Sequence, residues 1–140
     1  MKTAKHLFSL FFAGLLMVTL YSCQPDGIAT ESSLEGIYSL SEKATPQNSS
    51  TPQNSAYNIN VFKTGNAGES YRVENFYNLG FSYSITFTRS GSSIDIPSQK
   101  VAGFTLSGSG TVTTAGMSLN YRAVDAAGLA ESCTATATRQ

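Results

Sequence analysis

Cys23 is the residue whose surroundings point most directly to chemistry. The chain begins with two lysines among its first five residues, continues with an apolar run over residues 7–20, and closes this segment on Leu20-Tyr21-Ser22-Cys23. The order is typical of a secretory signal that ends in a lipobox, in which the cysteine receives acyl chains. The run is also shorter than the roughly twenty residues of a membrane-spanning helix. We therefore predict a signal peptide over residues 1–22 and lipidation of Cys23, the alternative being a plain secretory signal.

The composition of the mature chain argues against most catalytic arrangements. The single histidine, His6, lies in the predicted signal, so no Ser-His-Asp or Cys-His arrangement and no histidine metal site remains. With Cys23 acylated, Cys133 has no disulfide partner and no zinc spacing exists. A carboxylate pair could still act, but most candidates fall in predicted turns or on polar faces, where solvated charge is the default: Glu35, Glu42, Glu69, Glu74, Asp95, Asp125 and Glu131. We predict no catalytic residue, no metal and no cofactor, and thus no enzyme.

Three side chains are candidates for ligand binding. Arg72 shares a predicted strand face with Glu74, and Arg122 is available on another strand. Exposed charges of this kind usually contribute less than about 1 kcal/mol, so surface decoration is the simpler interpretation. Tyr77 precedes the turn Asn78-Leu79-Gly80 and is the tyrosine expected to be most exposed, whereas the others are expected to pack in the core or at its rim.

The charge and length of the mature chain bound its class. Loss of the two signal lysines leaves the nine acidic residues in excess, so nucleic-acid binding is not expected. Residues 23–140 suit one domain. We expect a lipidated tether over 23–35 and a β-domain over 36–140. A duplicated Thr-Pro-Gln-Asn-Ser motif predicts a surface loop at 45–55.

Apolar side chains alternate with polar ones from Tyr57 onward, which is the pattern of half-buried strands. The clearest examples are Phe81, Tyr83, Ile85 and Phe87, and then Met117, Leu119, Tyr121 and Ala123. Pro97 is expected to end one strand, and Gly108 and Gly110 to interrupt another. Cys133 is expected to be a small buried side chain, in phase with Ala135 and Ala137.

The predicted fold class is all-β, an antiparallel meander of about eight or nine strands. Short connections favour antiparallel neighbours in chain order. A sheet with one apolar face must cover that face, so we expect a closed or nearly closed calycin-like barrel, with a β-sandwich as the alternative.

Several segments resemble one group of proteins, the small calycin-like (lipocalin-like) lipoproteins of Gram-negative gut anaerobes. The segments are Asn75-Phe76-Tyr77-Asn78-Leu79-Gly80, Ile94-Asp95-Ile96-Pro97-Ser98-Gln99, Gly108-Ser109-Gly110-Thr111, Leu119-Asn120-Tyr121 and Cys133-Thr134-Ala135. The resemblance implies a barrel over residues 36–140 and carries over no functional residue. True lipocalins place Gly-x-Trp near the first strand, where this chain has Gly36-Ile37-Tyr38.

These observations predict a non-enzymatic lipoprotein of the outer membrane, on its periplasmic face or at the cell surface. Its partners would be the membrane, through the N-terminal lipid, and a small apolar molecule, a glycan or an envelope protein. An eight-stranded barrel can hold one small ligand or be filled by side chains. The alternative is therefore a structural or accessory lipoprotein with a filled core that acts through a protein interface.

Overall fold

The computed structural model describes residues 33–65 and 69–140. The predicted signal peptide, Cys23 and nearly all of the tether lie outside the described residues. Within the described ranges the chain forms eight strands and one short 3₁₀ turn at Phe76–Asn78. The strands are β1 (Gly36–Pro46), β2 (Gln53–Lys63), β3 (Ser70–Glu74), β4 (Ser84–Ser90), β5 (Ser93–Val101), β6 (Phe104–Thr113), β7 (Gly116–Val124) and β8 (Ala130–Arg139).

The strands form a closed antiparallel meander barrel. Each strand pairs with the next in chain order, and β8 returns to pair with β1, where Leu40 lies opposite Ala137. Every described strand therefore has a hydrogen-bonded neighbour on both sides. The predicted fold class is confirmed, and the two-sheet sandwich is not the solution that this chain adopts.

Alternate side chains of each strand fill the barrel. On β1 the buried positions are Tyr38, Leu40, Glu42 and Ala44, and the residues between them are exposed. Large residues of β7 lie opposite small residues of β8: Tyr121 faces Cys133, Leu119 faces Ala135 and Met117 faces Ala137. Pairing large with small lets the inner surfaces interdigitate without voids. The prediction that Cys133 is a small buried side chain is confirmed, since it is 2 % exposed.

Two glycines of β6 leave room for large side chains of β7, because they carry no side chain themselves. Gly108 lies opposite Tyr121, and Gly110 lies opposite Leu119, in the same inward phase as buried Leu106. A β-carbon on Gly108 would lie 2.5 Å from Cβ of Tyr121 and also against the carbonyl oxygen of Asn120. The expected interruption at these glycines is wrong, because β6 runs through both without a break.

The first half of the predicted Phe81–Phe87 strand is a turn instead. The β4 strand begins at Ser84, and Phe81 and Tyr83 are 53 % and 47 % exposed. The amide of Tyr83 donates to the carbonyl of Gly80, and the carbonyl of Tyr83 accepts from the amide of Asn75. These turn bonds replace the ladder, so the alternation that places Ile85 and Phe87 inside does not extend back to Phe81.

The strand at Pro97 also differs from its prediction. Rather than ending there, β5 continues to Val101 through a register shift between Ile96 and Gln99. At this irregularity the side-chain amide of Gln99 makes two hydrogen bonds to the backbone of Thr86, as a backbone amide and carbonyl would in a regular ladder. Its Nε2 donates to the carbonyl of Thr86 at 2.7 Å, and its Oε1 accepts from the amide of Thr86 at 2.8 Å.

The duplicated Thr-Pro-Gln-Asn-Ser segment contributes more to the sheet than expected. Instead of a loop over 45–55, β1 extends to Pro46 and β2 begins at Gln53. The connection is thus 47–52. Gln53 and Ser55 of the second copy pair with β1, and Thr45 and Pro46 of the first copy pair with β8, so each copy of the repeat contributes residues to a ladder.

The barrel has two distinct ends. At the entry end, the chain comes in at Gly36 and the β6–β7 turn and the C-terminus also lie there. At the far end lie the β1–β2 connection 47–52, residues 75–83, the turn at 102–103 and the loop 125–129.

In the described part of the chain, no helix is both long and apolar enough to cross a bilayer.

Replacement of Gly108 by alanine should lower the free energy of unfolding by about 3 kcal/mol, because the new methyl group meets backbone and Tyr121 atoms that cannot move away. Urea denaturation measures this change. Ser109→Ala, at the exposed neighbouring position, is the matched control and should change stability by less than about 0.5 kcal/mol. Equal stability of the two variants would contradict close contact between β6 and Tyr121.

Candidate functional site: the far end of the barrel

The far end is covered by the 3₁₀ turn Phe76–Asn78, which we call the plug. Phe76 is buried, and its ring centroid lies 4.7 Å from that of Tyr121 inside the barrel. Tyr77 lies 6.2 Å from Tyr121 and 5.1 Å from Phe104, edge to face in both cases. The plug therefore closes the barrel by aromatic packing on β6 and β7.

The backbone of the plug is held in an unusual conformation. Asn75, Tyr77 and Asn78 have positive φ angles of 60°, 58° and 54°. Asparagine tolerates this left-handed region, but a bulky residue such as Tyr77 does so at a cost of order 1–3 kcal/mol. The buried side chain of Asn75 holds the segment, since Nδ2 donates to the carbonyl of Asn58 and Oδ1 accepts from the amide of Gly80, each at 2.7 Å.

A pocket of about 190 Å³ opens beside the plug. Its apolar wall comes from Tyr77, Phe104, Ala123 and Leu129, and its polar wall contains Asp125 and Glu131, with Gln47 and Asn48 from the β1–β2 connection at the edge. The pocket thus combines aromatic rings with carboxylates, a few polar groups on a largely apolar surface, as small-molecule sites do.

Glu131 and Tyr77, which both line the pocket, are linked by a hydrogen bond. The Tyr77 hydroxyl donates to Oε2 of Glu131 at 2.6 Å, between residues far apart in sequence. Burial, followed by this hydrogen bond and the charge of Glu131, raises the pKa of Tyr77. The phenol consequently stays protonated and keeps the carboxylate oriented.

A second carboxylate lies deeper inside the barrel. Glu42 is only 6 % exposed. The hydroxyl of Tyr57 donates to its Oε2 at 2.6 Å, the hydroxyl of Tyr121 donates to the same oxygen, and Ser55 makes a longer contact of 3.4 Å with Oε1. Phenol donors thus take the place of a basic partner. We call Glu42, Tyr57 and Tyr121 the buried cluster.

Burial controls the protonation of the groups around Glu42. It is the leading cause that raises the pKa of Tyr57 and of Tyr121, with further contributions from hydrogen bonding to Glu42 and from its charge. Burial, with the charge of Glu42, also raises the pKa of the Cys133 thiol to about 12. A thiol with so high a pKa is protonated at neutral pH and a poor nucleophile.

The entry end is closed in a different way. The buried hydroxyl of Tyr38 donates to the carbonyl of Leu34 at 2.9 Å, and the Arg139 guanidinium lies 5.9 Å from the centre of the Tyr38 ring. Tyr71 donates to Glu69 at 2.8 Å and stacks on Phe87. At both ends of the barrel, residues outside the strand ladder, here Leu34 and Glu69, therefore take part in the closure.

The structure does not bring the three sequence candidates together. Tyr77 is half-buried at the far end rather than the most exposed tyrosine, which is an error of the prediction. Arg72 lies on the outer wall, 3.1 Å from Glu74 and over the ring of Phe62. Arg122 is exposed on β7, on the opposite side of the barrel from β3.

Sequence reasoning missed the acidic residues of this end by treating Glu42, Asp125 and Glu131 as solvated. A signal for Glu42 was present, because it continues the inward phase of Tyr38, Leu40 and Ala44. Glu131 also continues the inward phase of Cys133, Ala135 and Ala137, but no local signal predicts its contact with a plug residue 54 positions away in the chain.

In the described ranges, no group of three or more histidine, cysteine, aspartate or glutamate side chains is arranged to hold a metal ion.

In comparisons with known proteins, no family model, no curated protein and no solved structure matches the chain.

Replacement of Glu42 by leucine should lower the free energy of unfolding by about 2 kcal/mol, since the hydroxyls of Tyr57 and Tyr121 then lose their acceptor. Glu42→Gln retains an acceptor and should cost less. The measurement is urea denaturation near neutral pH, with Tyr83→Phe at an exposed hydroxyl as the control. A leucine variant as stable as the parent protein would contradict a structural role for the cluster.

Cys133 should resist alkylation in the folded protein at about pH 8 and react fully in denaturant, because the thiol is buried and protonated. Its folded pKa of about 12 exceeds the ordinary value of 9.0, so its stabilising contribution is present below pH 9 and is lost as pH rises towards 12. Iodoacetamide labelling of the chain with Cys23→Ala measures the first effect. Alkaline denaturation of this chain with and without Cys133→Ala measures the second, and rapid labelling of the folded chain would contradict both.

Proposed function

We propose that this protein is a non-enzymatic lipoprotein of the outer membrane that binds a small molecule at the far end of its barrel. The observation that carries the proposal is the pocket beside the plug, where aromatic and aliphatic side chains meet two carboxylates. Its volume of about 190 Å³ is below the 300–1,000 Å³ typical of sites for drug-sized ligands, so the ligand must be compact.

The filled interior supports a site at the end of the barrel rather than inside it. Buried side chains from all eight described strands form the core, and the rings of Phe76 and Tyr121 pack against each other at an interplanar angle of 50° where a deep ligand would enter. A ligand in the pocket would instead contact Tyr77, Phe104 and Leu129 from outside.

The direction of the chain supports a role as an anchored module. Residues 33–35 lead into the barrel at the entry end, whereas the pocket opens at the far end. Acyl chains on Cys23 would contribute about 0.8 kcal/mol of membrane affinity for each buried methylene group, and several chains together give stable anchoring. The described chain thus enters the barrel at the end opposite the pocket.

An accessory role through a protein interface is the second candidate. The rings of Phe81 and Tyr83 favour it, because both are about half exposed on the loop at the far end. Large exposed apolar side chains are frequent at interaction surfaces.

Native mass spectrometry of the mature protein, extracted in mild detergent from its own envelope, tests the proposal. We expect an acylated Cys23 and a bound small molecule. Tyr77→Ala and Leu129→Ala each remove one wall of the pocket and should reduce the bound fraction at least about fivefold. Phe81→Ala is the matched control, because this exposed ring does not line the pocket.

Two outcomes would contradict binding in the pocket. One is an adduct that persists in both wall variants, which would place the ligand elsewhere. The other is a protein that carries no small molecule but retains a protein partner, lost in Phe81→Ala, which would support the accessory role.

A further inference from the structure

Most of the hydrogen-bond donors beside the carboxylates of the far-end pocket are already engaged, and the side-chain amides of Gln47 and Asn48 lie at its edge. The Tyr77 hydroxyl donates to Glu131, and the amides of Ala127 and Leu129 donate to Oδ1 of Asp125 at 2.9 and 2.8 Å. The amide of Gln47 donates to the carbonyl of Ala130 at 2.8 Å. Next to Tyr77 and Leu129, the polar groups left for a ligand are therefore the carboxylate oxygens of Asp125 and Glu131.

In each carboxylate of the pocket, one oxygen accepts hydrogen bonds from the described residues and the other accepts none from them. Oδ1 of Asp125 and Oε2 of Glu131 accept the bonds given above, and the described residues supply no hydrogen bond to Oδ2 of Asp125 or Oε1 of Glu131. Among residues 33–65 and 69–140, no basic side chain forms an ion pair with either acid.

Basic side chains do not neutralise this surface. Of the described residues that line the pocket, none is lysine or arginine. Lys43 and Arg122 are nearby in sequence to pocket-lining positions, but both occupy the outward phase of their strands and are exposed. The ion pairs formed by Glu69 and Glu74 on the wall have no equivalent at Asp125 or Glu131 within the described ranges.

Two aromatic rings make adjoining walls of the pocket. Tyr77 and Phe104 meet at an interplanar angle of 70°. A cation near the face of such a ring is attracted by its quadrupole, and ammonium groups are commonly bound in aromatic corners of this kind. Aromatic rings beside unpaired carboxylates suit a cation with an apolar surface better than a strongly hydrated metal ion.

We propose that the far-end pocket recognises a compact alkylammonium group, held between the rings of Tyr77 and Phe104 and the carboxylates of Glu131 and Asp125. This inference deepens the proposed function and rests on it, since it names the chemical class of the ligand. A neutral glycan is the rival, because sugars also combine apolar faces with hydrogen-bond donors. The two ligand classes differ in charge, since an alkylammonium group is positive and such a glycan is not.

A titration of the mature lipoprotein in detergent micelles with an isosteric pair of probes tests the inference. Choline carries the charge, and 3,3-dimethylbutan-1-ol has the same shape with a neutral carbon in place of the nitrogen. Amide chemical shifts of Leu129, Ala130 and Glu131 report binding. We expect choline to bind about tenfold more tightly than the alcohol, and the preference to weaken as salt is added.

The variants remove charge while they retain the internal hydrogen bonds. In Glu131→Gln and Asp125→Asn the amide oxygen can still accept from Tyr77 or from the loop amides. Each should reduce choline affinity several-fold and change affinity for the alcohol by less than about twofold. Asp95→Asn, on the exposed wall of β5, is the control for loss of one negative charge.

The outcomes separate the inference from the proposed function. Equal binding of both probes at the pocket would overturn recognition of a cation while leaving a small-molecule site. Choline binding that Asp95→Asn weakens as much as Glu131→Gln would reduce the effect to overall charge and would also overturn it. Failure of both probes to shift the pocket amides overturns the inference, and native mass spectrometry then decides the proposed function by itself.

Discussion

Closure of the sheet by pairing of β8 with β1 is the constraint on which the other features depend. A closed barrel gives all inward positions a single interior of limited width, so an increase in side-chain volume on one strand requires a decrease on its neighbour. The chain satisfies this condition locally. Tyr121 is accommodated by Gly108 on one side and Cys133 on the other, and Leu119 by Gly110 and Ala135. Closure also satisfies the backbone groups of the first and last strands, which would otherwise form exposed edges.

The same closed interior determines how a buried charge can be tolerated. A carboxylate inside an apolar barrel is costly unless its oxygens receive hydrogen bonds. Glu42, on β1, meets this requirement with the hydroxyls of Tyr57 on β2 and Tyr121 on β7. Since phenols are neutral, the negative charge is solvated without being cancelled. Burial is the leading cause that raises the pKa of both Tyr77 and Tyr38, but the charges of Glu131 and Glu42 add to the shift at Tyr77, whereas those of Arg139 and Arg89 oppose it at Tyr38.

Each end of the barrel is closed with the help of chain segments that precede or connect the strands. At the far end, three left-handed residues turn the chain inward so that Phe76 packs on Tyr121. Backbone strain of this kind persists only where surrounding contacts impose it, and Asn75 supplies two of them. This geometry leaves Tyr77 of the plug half-buried at the surface and edge to face with Phe104, and both rings line the pocket. The site therefore lies beside the plug, outside the filled interior of the barrel.

The sequence by itself determined the all-β meander and most of the inward positions, because period-two alternation is a local property that each strand carries alone. Such alternation identified the faces of β7 and β8 and the burial of Cys133. It failed at Phe81 and Tyr83, where turn bonds from Gly80 and Asn75 override the pattern. The inward phase of β1 includes Glu42, but this acid was expected to be solvated, and alternation does not show whether an interior can accommodate it. That depended on hydroxyls that lie 15 and 79 residues away in the chain and reach the carboxylate only after the barrel closes. The pocket at the far end likewise required the plug to meet β6 and β8, and only the tertiary structure brings these segments together.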